Sequence, residues 1–262
     1  MVNGEHSRQI PPVSPYGNHD FADFAQEFLR RNPAYCQTVS SLPGQARSSE
    51  GEAQQWLART WGLCQLIDPA ASPRTCPALW QPACHPAIVQ IRCSHQNIEA
   101  VLPKGYAPLA EHREGNAYHL VLGRAAQHLR LRLCLWHAPD QDPPLLCLSK
   151  DSSLAIRLGA AAFYATTWRT HKADPTAPFQ PSAYQRASLV RLLQICDALA
   201  TGASCRHIAS TIVFPRHERL TGIAWKGSAE RRHCWRLIGQ ARQLRNGGNL
   251  RLLALARPAC QA

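Results

Sequence analysis

Arg232, Arg236, Gly239 and Gln243 recur at i, i+4, i+7 and i+11. At 100° per residue this spacing lines them up on one side of a helix, a polar stripe about three turns long. Gln240 and His233 lie beside the stripe, and Arg231 and Arg242 flank it. An arginine fork matches the paired acceptors of a guanine edge, and a carboxamide matches the donor–acceptor pair of an adenine edge. Arg232, Arg236, Gln240 and Gln243 are therefore candidate base contacts in a DNA major groove. Arg206, Lys226, Ser228, Arg231 and Arg242 are candidate phosphate contacts. Lys226 and Ser228 stand where the helix begins, and the unpaired N–H groups at such an end attract anions. Gly239 costs about 1 kcal/mol against alanine in a helix interior, which suggests a close backbone approach at that position.

A helix can present such a stripe only if its other side is anchored. Cys234, Leu237, Ile238, Ala241 and Leu244 fall opposite the arginines, and Gly247-Gly248 stops the helix. Two further helices precede it. One spans Tyr184–Ala200, with Leu189, Leu192, Leu193, Cys196 and Leu199 at helical spacing and Gly202 after its end. The other starts from Ser204 as N-cap and runs to about Phe214, with Cys205, Ile208, Ala209 and Ile212 inward. The small Ala209 would let neighbouring helices cross closely. Core helix, supporting helix and basic amphipathic helix follow helix-turn-helix logic. The stretch from Pro215 to Gly227 is longer than the 3–4 residues of a compact motif and reads as an extra turn or a wing-like excursion.

Charge singles out the same region. Of the 262 residues, 29 are Lys or Arg and 17 are Asp or Glu, a formal charge of +12. Residues 1–181 carry 16 cations and 14 anions, net +2, whereas residues 182–262 carry 13 and 3, net +10. All but one of those 13 cations are arginines, which suit phosphates and guanine edges better than lysine does. A basic segment beside a near-neutral one is the footprint of polyanion binding.

Upstream, residues 1–19 read as a flexible arm and 20–115 as a helical and irregular domain. Phe21, Phe24, Ala25, Phe28 and Leu29 form one apolar stripe. Asp20 is its N-cap, Asn32-Pro33 its stop, and Arg30 and Arg31 sit where the helix dipole favours cations. A second helix is expected around Glu52–Trp61 and a short strand at Ala87–Ile91. Residues 116–181 read as a β-hairpin plus a helix. Its strands are Tyr118–Leu122 and Leu129–Trp136, the second placing Leu129, Leu131, Leu133 and Leu135 on one face and Arg130, Arg132, Cys134 and Trp136 on the other. The helix, about Ser153–Thr170, is expected to bury Leu154, Leu158, Ala161, Ala165 and Trp168. Pro175, Pro178 and Pro181 form a stiff linker to residues 182–262. The fold class is α+β, ending in a three-helix helix-turn-helix-type domain. Trp56, Trp61, Trp80 and Trp136 are expected in the core, with Trp225 and Trp235 also packed.

Other chemistries find less support. No apolar run reaches the roughly 18–20 residues of a membrane span, and the first 20 residues contain no signal core. A cytoplasmic protein with no membrane partner is expected. Its 11 cysteines would then be mostly small, reduced core residues. Cys76, Cys84, His85, Cys93 and His95 cluster in sequence, but they lack the C-x2-C pair of a structural zinc site and are interrupted by prolines. The string Gly222–Ser228 lacks the Lys-Ser/Thr of a phosphate loop. His217-Glu218 lacks the second histidine of a zincin, because position 221 is Thr221. Neither catalysis nor a cofactor nor a resident metal is expected.

Residues 117–255 resemble the bacterial domain of unknown function 2285, described as a helix-turn-helix DNA-binding domain of transcription factors. The matching residues are Arg191-Leu192, Gly202-Ala203-Ser204, Arg206, Ile208, Ala209, Trp225-Lys226, Ser228, Arg236-Leu237, Gly247-Gly248 and Arg251-Leu252-Leu253. Upstream, Leu131–Trp136 and Asp151 with Arg157-Leu158 fit the same domain's leading segment. The string Glu27–Pro33 with Tyr35, followed by Trp61-Gly62-Leu63, Asp68-Pro69, Trp80 and Pro82, is similar to a short regulator-like domain that often precedes it. This chain departs from the pattern at Gln26, Cys205, His207, Pro215 and Asn249. The resemblance implies a bacterial transcriptional regulator that binds double-stranded DNA, with relatives often tied to mobile integrative elements. Other regulators or the transcription machinery are further expected partners, through the N-terminal domain. The alternative reading is an antiactivator-like protein that binds a related transcription factor instead of DNA.

Overall fold

The computed structural model describes residues 15–42, 52–94, 98–124, 127–170, 179–216 and 221–255. Most of the expected arm, Pro175, Pro178, His95 and the His217-Glu218 pair lie outside the described residues, as does the side chain of Leu129.

The chain adopts the α+β class. It opens with α1 (Phe21–Leu29), α2 (Pro33–Ser40) and α3 (Glu52–Thr60). Asp20 caps α1 through a reciprocal box with Asp23, and Phe21, Phe24, Phe28 and Leu29 are all buried, as the apolar stripe requires. Burying each such side chain stabilises by about 1.5–3 kcal/mol. Asn32-Pro33 both ends one helix and starts the next: Asn32 accepts from the Ala34 N–H and Pro33 occupies the first position of α2, where its missing N–H costs nothing. Arg30 caps the C-terminus of α1, and its guanidinium donates to the carbonyls of Pro69 and Ala70.

The expected hairpin and the short strand expected at Ala87–Ile91 are parts of one five-stranded sheet in the order β2-β3-β4-β1-β5. Its strands are β1 (Val89–Cys93), β2 (Ala107–Glu114), β3 (Ala117–Arg124), β4 (Gln127–His137) and β5 (Leu145–Cys147), with the short α4 (Ile98–Val101) after β1. The expected hairpin is its centre: β3 and β4 pair antiparallel, with Leu120 opposite Leu133 and Leu122 opposite Leu131. β1 joins β4 in parallel. The leucine face of β4 packs with Leu120, Leu122, Val89 and Ile91 against α5 (Leu154–Thr170).

α5 turns a different side inward from the one its leucines suggest. Ala160, Phe163, Tyr164 and Thr167 are buried, with Ala161 as expected, while Leu158 and Trp168 are half exposed and Ala165 is exposed. The large Phe163 and Tyr164 rings fill the space over the sheet, and the Tyr164 hydroxyl donates to the Val101 carbonyl at 2.8 Å. Trp56 also departs from expectation and is 64% exposed. α3 buries the small Ala58, and a residue two positions away points about 200° off that direction. Trp235 is half exposed as well, to the side of the buried Cys234.

The other face of the sheet holds ions. Arg132 reaches Asp20 at 2.6 and 3.2 Å, and Arg130 pairs with Asp23, so the first turn of α1 is bound to β4. Arg31 then ties α1 to α6 (Ala183–Ala200) through Asp197 at 2.6 and 3.0 Å. A 3₁₀ helix at Gly248–Ala254 lies against α1, where Asn249 donates to the Ala25 carbonyl and His85 Nδ1 meets the Leu253 carbonyl at 3.0 Å. One apolar cluster consequently runs from Phe21, Phe24 and Phe28 to Leu193, Ile208, Ile238 and Leu253. The N-terminal helices and the basic C-terminal segment share a core.

Candidate nucleic-acid interface

The basic segment runs through α6, then α7 (Cys205–Ile208) continuing as a π-helical turn (Ala209–Val213), α8 (Gly222–Gly227), α9 (Ala229–Arg245) and the 3₁₀ helix already described. The α6–α7 turn is tight because Gly202 takes φ +80°, a left-handed conformation that side chains disfavour. There the Ala203 N–H reaches back to the Ala198 carbonyl at 2.9 Å. Ser204 caps α7 by accepting from the His207 N–H. The π turn ends at Phe214, whose backbone leaves the helical region just before Pro215.

Ile208 and Ala209 are buried, and Cys234, Leu237, Ile238 and Ala241 of α9 meet them in the common core. Close crossing is visible in two thiol contacts, Cys234 Sγ to the Cys205 carbonyl at 3.3 Å and Cys196 Sγ to the Ala241 carbonyl at 3.5 Å. The long connection after Pro215 contains α8, a short helix with Ile223 89% exposed and Trp225 partly packed. This element answers the expected extra turn.

α9 begins at Ser228, whose hydroxyl accepts from the Arg231 N–H at 3.0 Å. It ends at Asn246, after which Gly247 has φ +110°. A side chain at Gly248 would come within 2.6 Å of the Gln243 carbonyl, so the chain can fold back only with glycine there.

The outward face carries the predicted base contacts. Arg232, Arg236, Gln240 and Gln243 are all exposed and lie along about 16 Å of helix. Among the described residues neither Arg232 nor Arg236 is paired with a carboxylate. Arg236 instead donates to His233 Nδ1 at 2.7 Å, and the His233 ring lies 5.7 Å from that of Phe214. Arg232 donates to the Gly227 carbonyl and Arg231 to the Lys226 carbonyl, at 3.1 and 2.9 Å. Both thus satisfy carbonyls at the end of α8 that have no helical partner. Each guanidinium has five N–H groups, so most of its donors remain for a ligand.

Of the predicted phosphate contacts, Lys226, Arg231 and Ser228 gather at the α8–α9 junction, with Ser228 and Arg231 partly buried. Arg242 is exposed near the far end of α9, and Arg206 is exposed on α7. Gly239 does not approach protein backbone: a side chain added there would meet nothing within 4 Å. The helix is open to solvent at that point.

The cysteine–histidine string is not assembled as a ligand set. Cys76 is exposed, Cys84 partly buried, and Cys93 belongs to the sheet core, while His85 is buried and held by a carbonyl. Burial drives the His85 pKa down to about 3. Among the described residues, no three His, Cys, Asp or Glu are grouped so as to hold a metal ion.

Sequence reasoning left α8 open between an extra turn and a wing-like excursion, and it missed the ions beneath β4. The available signal was Asp20 and Asp23 one turn apart, facing an arginine pair two residues apart on a strand.

Comparison with known families matches residues 147–254 to a model described as a T6SS transcription factor DNA-binding domain. Residues 15–64 match a proteobacterial transcriptional regulator-like domain. No curated protein and no solved structure matches the chain. The segment between the two matches holds almost the whole sheet. No helix among the described residues is long and apolar enough to cross a membrane. The narrower likeness to the domain of unknown function 2285 rests on sequence resemblance alone. Taken together, the two matches indicate a transcriptional regulator with a DNA-binding domain.

Proposed function

We propose that the protein is a sequence-specific transcriptional regulator that binds double-stranded DNA by laying α9 in the major groove. In this reading α6, α7 and α9 act as a helix-turn-helix unit, with α8 an insertion before the recognition helix. Arg232, Arg236, Gln240 and Gln243 contact base edges. Arg206, Lys226, Ser228, Arg231 and Arg242 grip phosphates and set the register of the helix. The His233 contact limits the rotamers of Arg236, so less freedom is lost when its fork meets a guanine.

One observation carries the reading. A helix whose inner side is locked into the core presents, on its outer side, a row of arginines and glutamines that pair with no carboxylate among the described residues. The test is fluorescence anisotropy of a labelled upstream duplex across a salt series. Binding that neutralises several phosphates makes log K fall linearly with log salt. An affinity independent of salt, or no binding to any upstream duplex, would favour the protein-partner reading instead.

A further inference from the structure

A cleft of about 910 Å³ opens between α3, the ionic face of the sheet and the start of α5. Its size falls in the range of small-molecule sites, roughly 300–1,000 Å³. All three parts of the chain line it: Arg59 from the regulator-like match, His119 and Trp136 from the sheet, and Asp151 and Arg157 from the DNA-binding match.

The wall contains polar groups left without partners. Arg157 and His119 are only 7% and 6% exposed, and Arg157 Nη1 and His119 Nδ1 have no hydrogen-bond partner among the described residues. Buried polar atoms of this kind are rare, and each calls for a physical reason. Burial lowers the His119 pKa, which leaves a neutral ring able to donate from one nitrogen and accept at the other.

The charged groups of the lining pair with one another, Glu114 with Arg59 and Asp151 with Arg157. What this leaves over is a donor: Arg157 keeps the N–H groups of Nη1 beyond those that Asp151 takes, and a ligand carboxylate would complete them. Pro82, Ala83 and Ala117 supply an apolar part of the lining together with the Trp136 indole, whose N–H donates to Gln90 at 3.2 Å and fixes the ring.

We propose that this cleft binds a small organic acid, its carboxylate held by Arg157 and its apolar body lying against Trp136. Such a site joins the two matched segments through one ligand, and none of the residues that form it belongs to α9.

The test is titration of the ¹⁵N-labelled full chain with benzoate and indole-3-acetate, and with their uncharged counterparts benzyl alcohol and tryptophol. The Trp136 indole N–H resonance, assigned by Trp136→Phe, is the readout. At least one carboxylate is expected to shift it saturably, binding at least tenfold more tightly than its alcohol. Arg157→Gln is expected to weaken that binding at least tenfold. Asp151→Asn alters an exposed carboxylate and frees the guanidinium, so it is expected to strengthen binding even if Arg157→Gln does not fold. No saturable shift with either carboxylate, equal binding of acid and alcohol, or Asp151→Asn binding no better than the unsubstituted chain would overturn the proposal.

Discussion

Arg130 and Arg132 reach from β4 into Asp20 and Asp23 beneath the sheet, whereas Arg232 and Arg236 are exposed on α9 and pair with no carboxylate among the described residues. The near-neutral tally of residues 1–181 therefore includes arginines committed to internal partners. The basic tally of residues 182–262 includes arginines left available. Burying a pair costs desolvation that good geometry only offsets, so the first set holds α1 in place while contributing little net charge. The second set makes its protein contacts to the Gly227 carbonyl and the His233 ring and retains its field.

That contrast can be broken at either end. The largest effect is expected from Arg132→Ala, which strands Asp20 in a buried site and should cost about 3–5 kcal/mol in urea unfolding. Arg236→Ala should stay within about 0.5 kcal/mol of the unsubstituted chain in the same measurement. In duplex binding the order reverses: Arg236→Ala should lose about 1–3 kcal/mol on its preferred sequence.

Acid titration sharpens the picture of the buried set. Arg132 and Arg130 offset the desolvation of Asp20 and hold its pKa down at about 2, below the usual 3.8. The nearby His19 ring and the Arg31 guanidinium likewise outweigh desolvation at Glu27 and hold it at about 2. Their contributions are present above pH 4–5 and are lost as pH falls through about 2. His85, buried and neutral, adds a loss of stability as pH falls from 6.5 toward about 3. Asp23 opposes these trends. Desolvation and the adjacent Asp20 raise it from 3.8 to about 6, so its contribution is present below 3.8 and fades as pH rises through 6. Asp23→Asn should remove that opposing slope between about pH 4 and 6, leaving a steeper loss on acidification. A thermal-melt series across pH checks it.

Two smaller effects probe the exposed set. Gly239→Ala enters open space on a helix and should stabilise by about 0.5–1 kcal/mol. A fall in duplex affinity alongside that gain would mean that DNA comes close at this position. Arg231→Ala should weaken all duplexes about equally and reduce the salt slope by about one.

Local patterns were legible in the sequence. The α1 stripe and its Asp20 cap, the β3–β4 alternation and the two faces of α9 all follow from spacing that needs no distant partner. What depends on remote contacts was hidden. β2 is exposed along most of its length and shows no apolar alternation, because it is an edge strand with one neighbour. The Arg132–Asp20 pair spans 112 positions. In α5 the leucines suggested the buried side, but the phenylalanine and tyrosine one step around the helix decide it. Within the candidate interface, spacing was enough to predict the exposed stripe. The carbonyl contacts of Arg231 and Arg232 were not predictable, since they depend on α8 ending just before α9 begins.

Selection of bound duplexes from a random pool, followed by sequencing, addresses the role of α9 most directly when run in parallel with the unsubstituted chain and Arg236→Ala. The account predicts an enriched motif containing a guanine whose preference disappears in the variant while the flanking positions persist. An unenriched pool, or the same motif from both proteins, would contradict it.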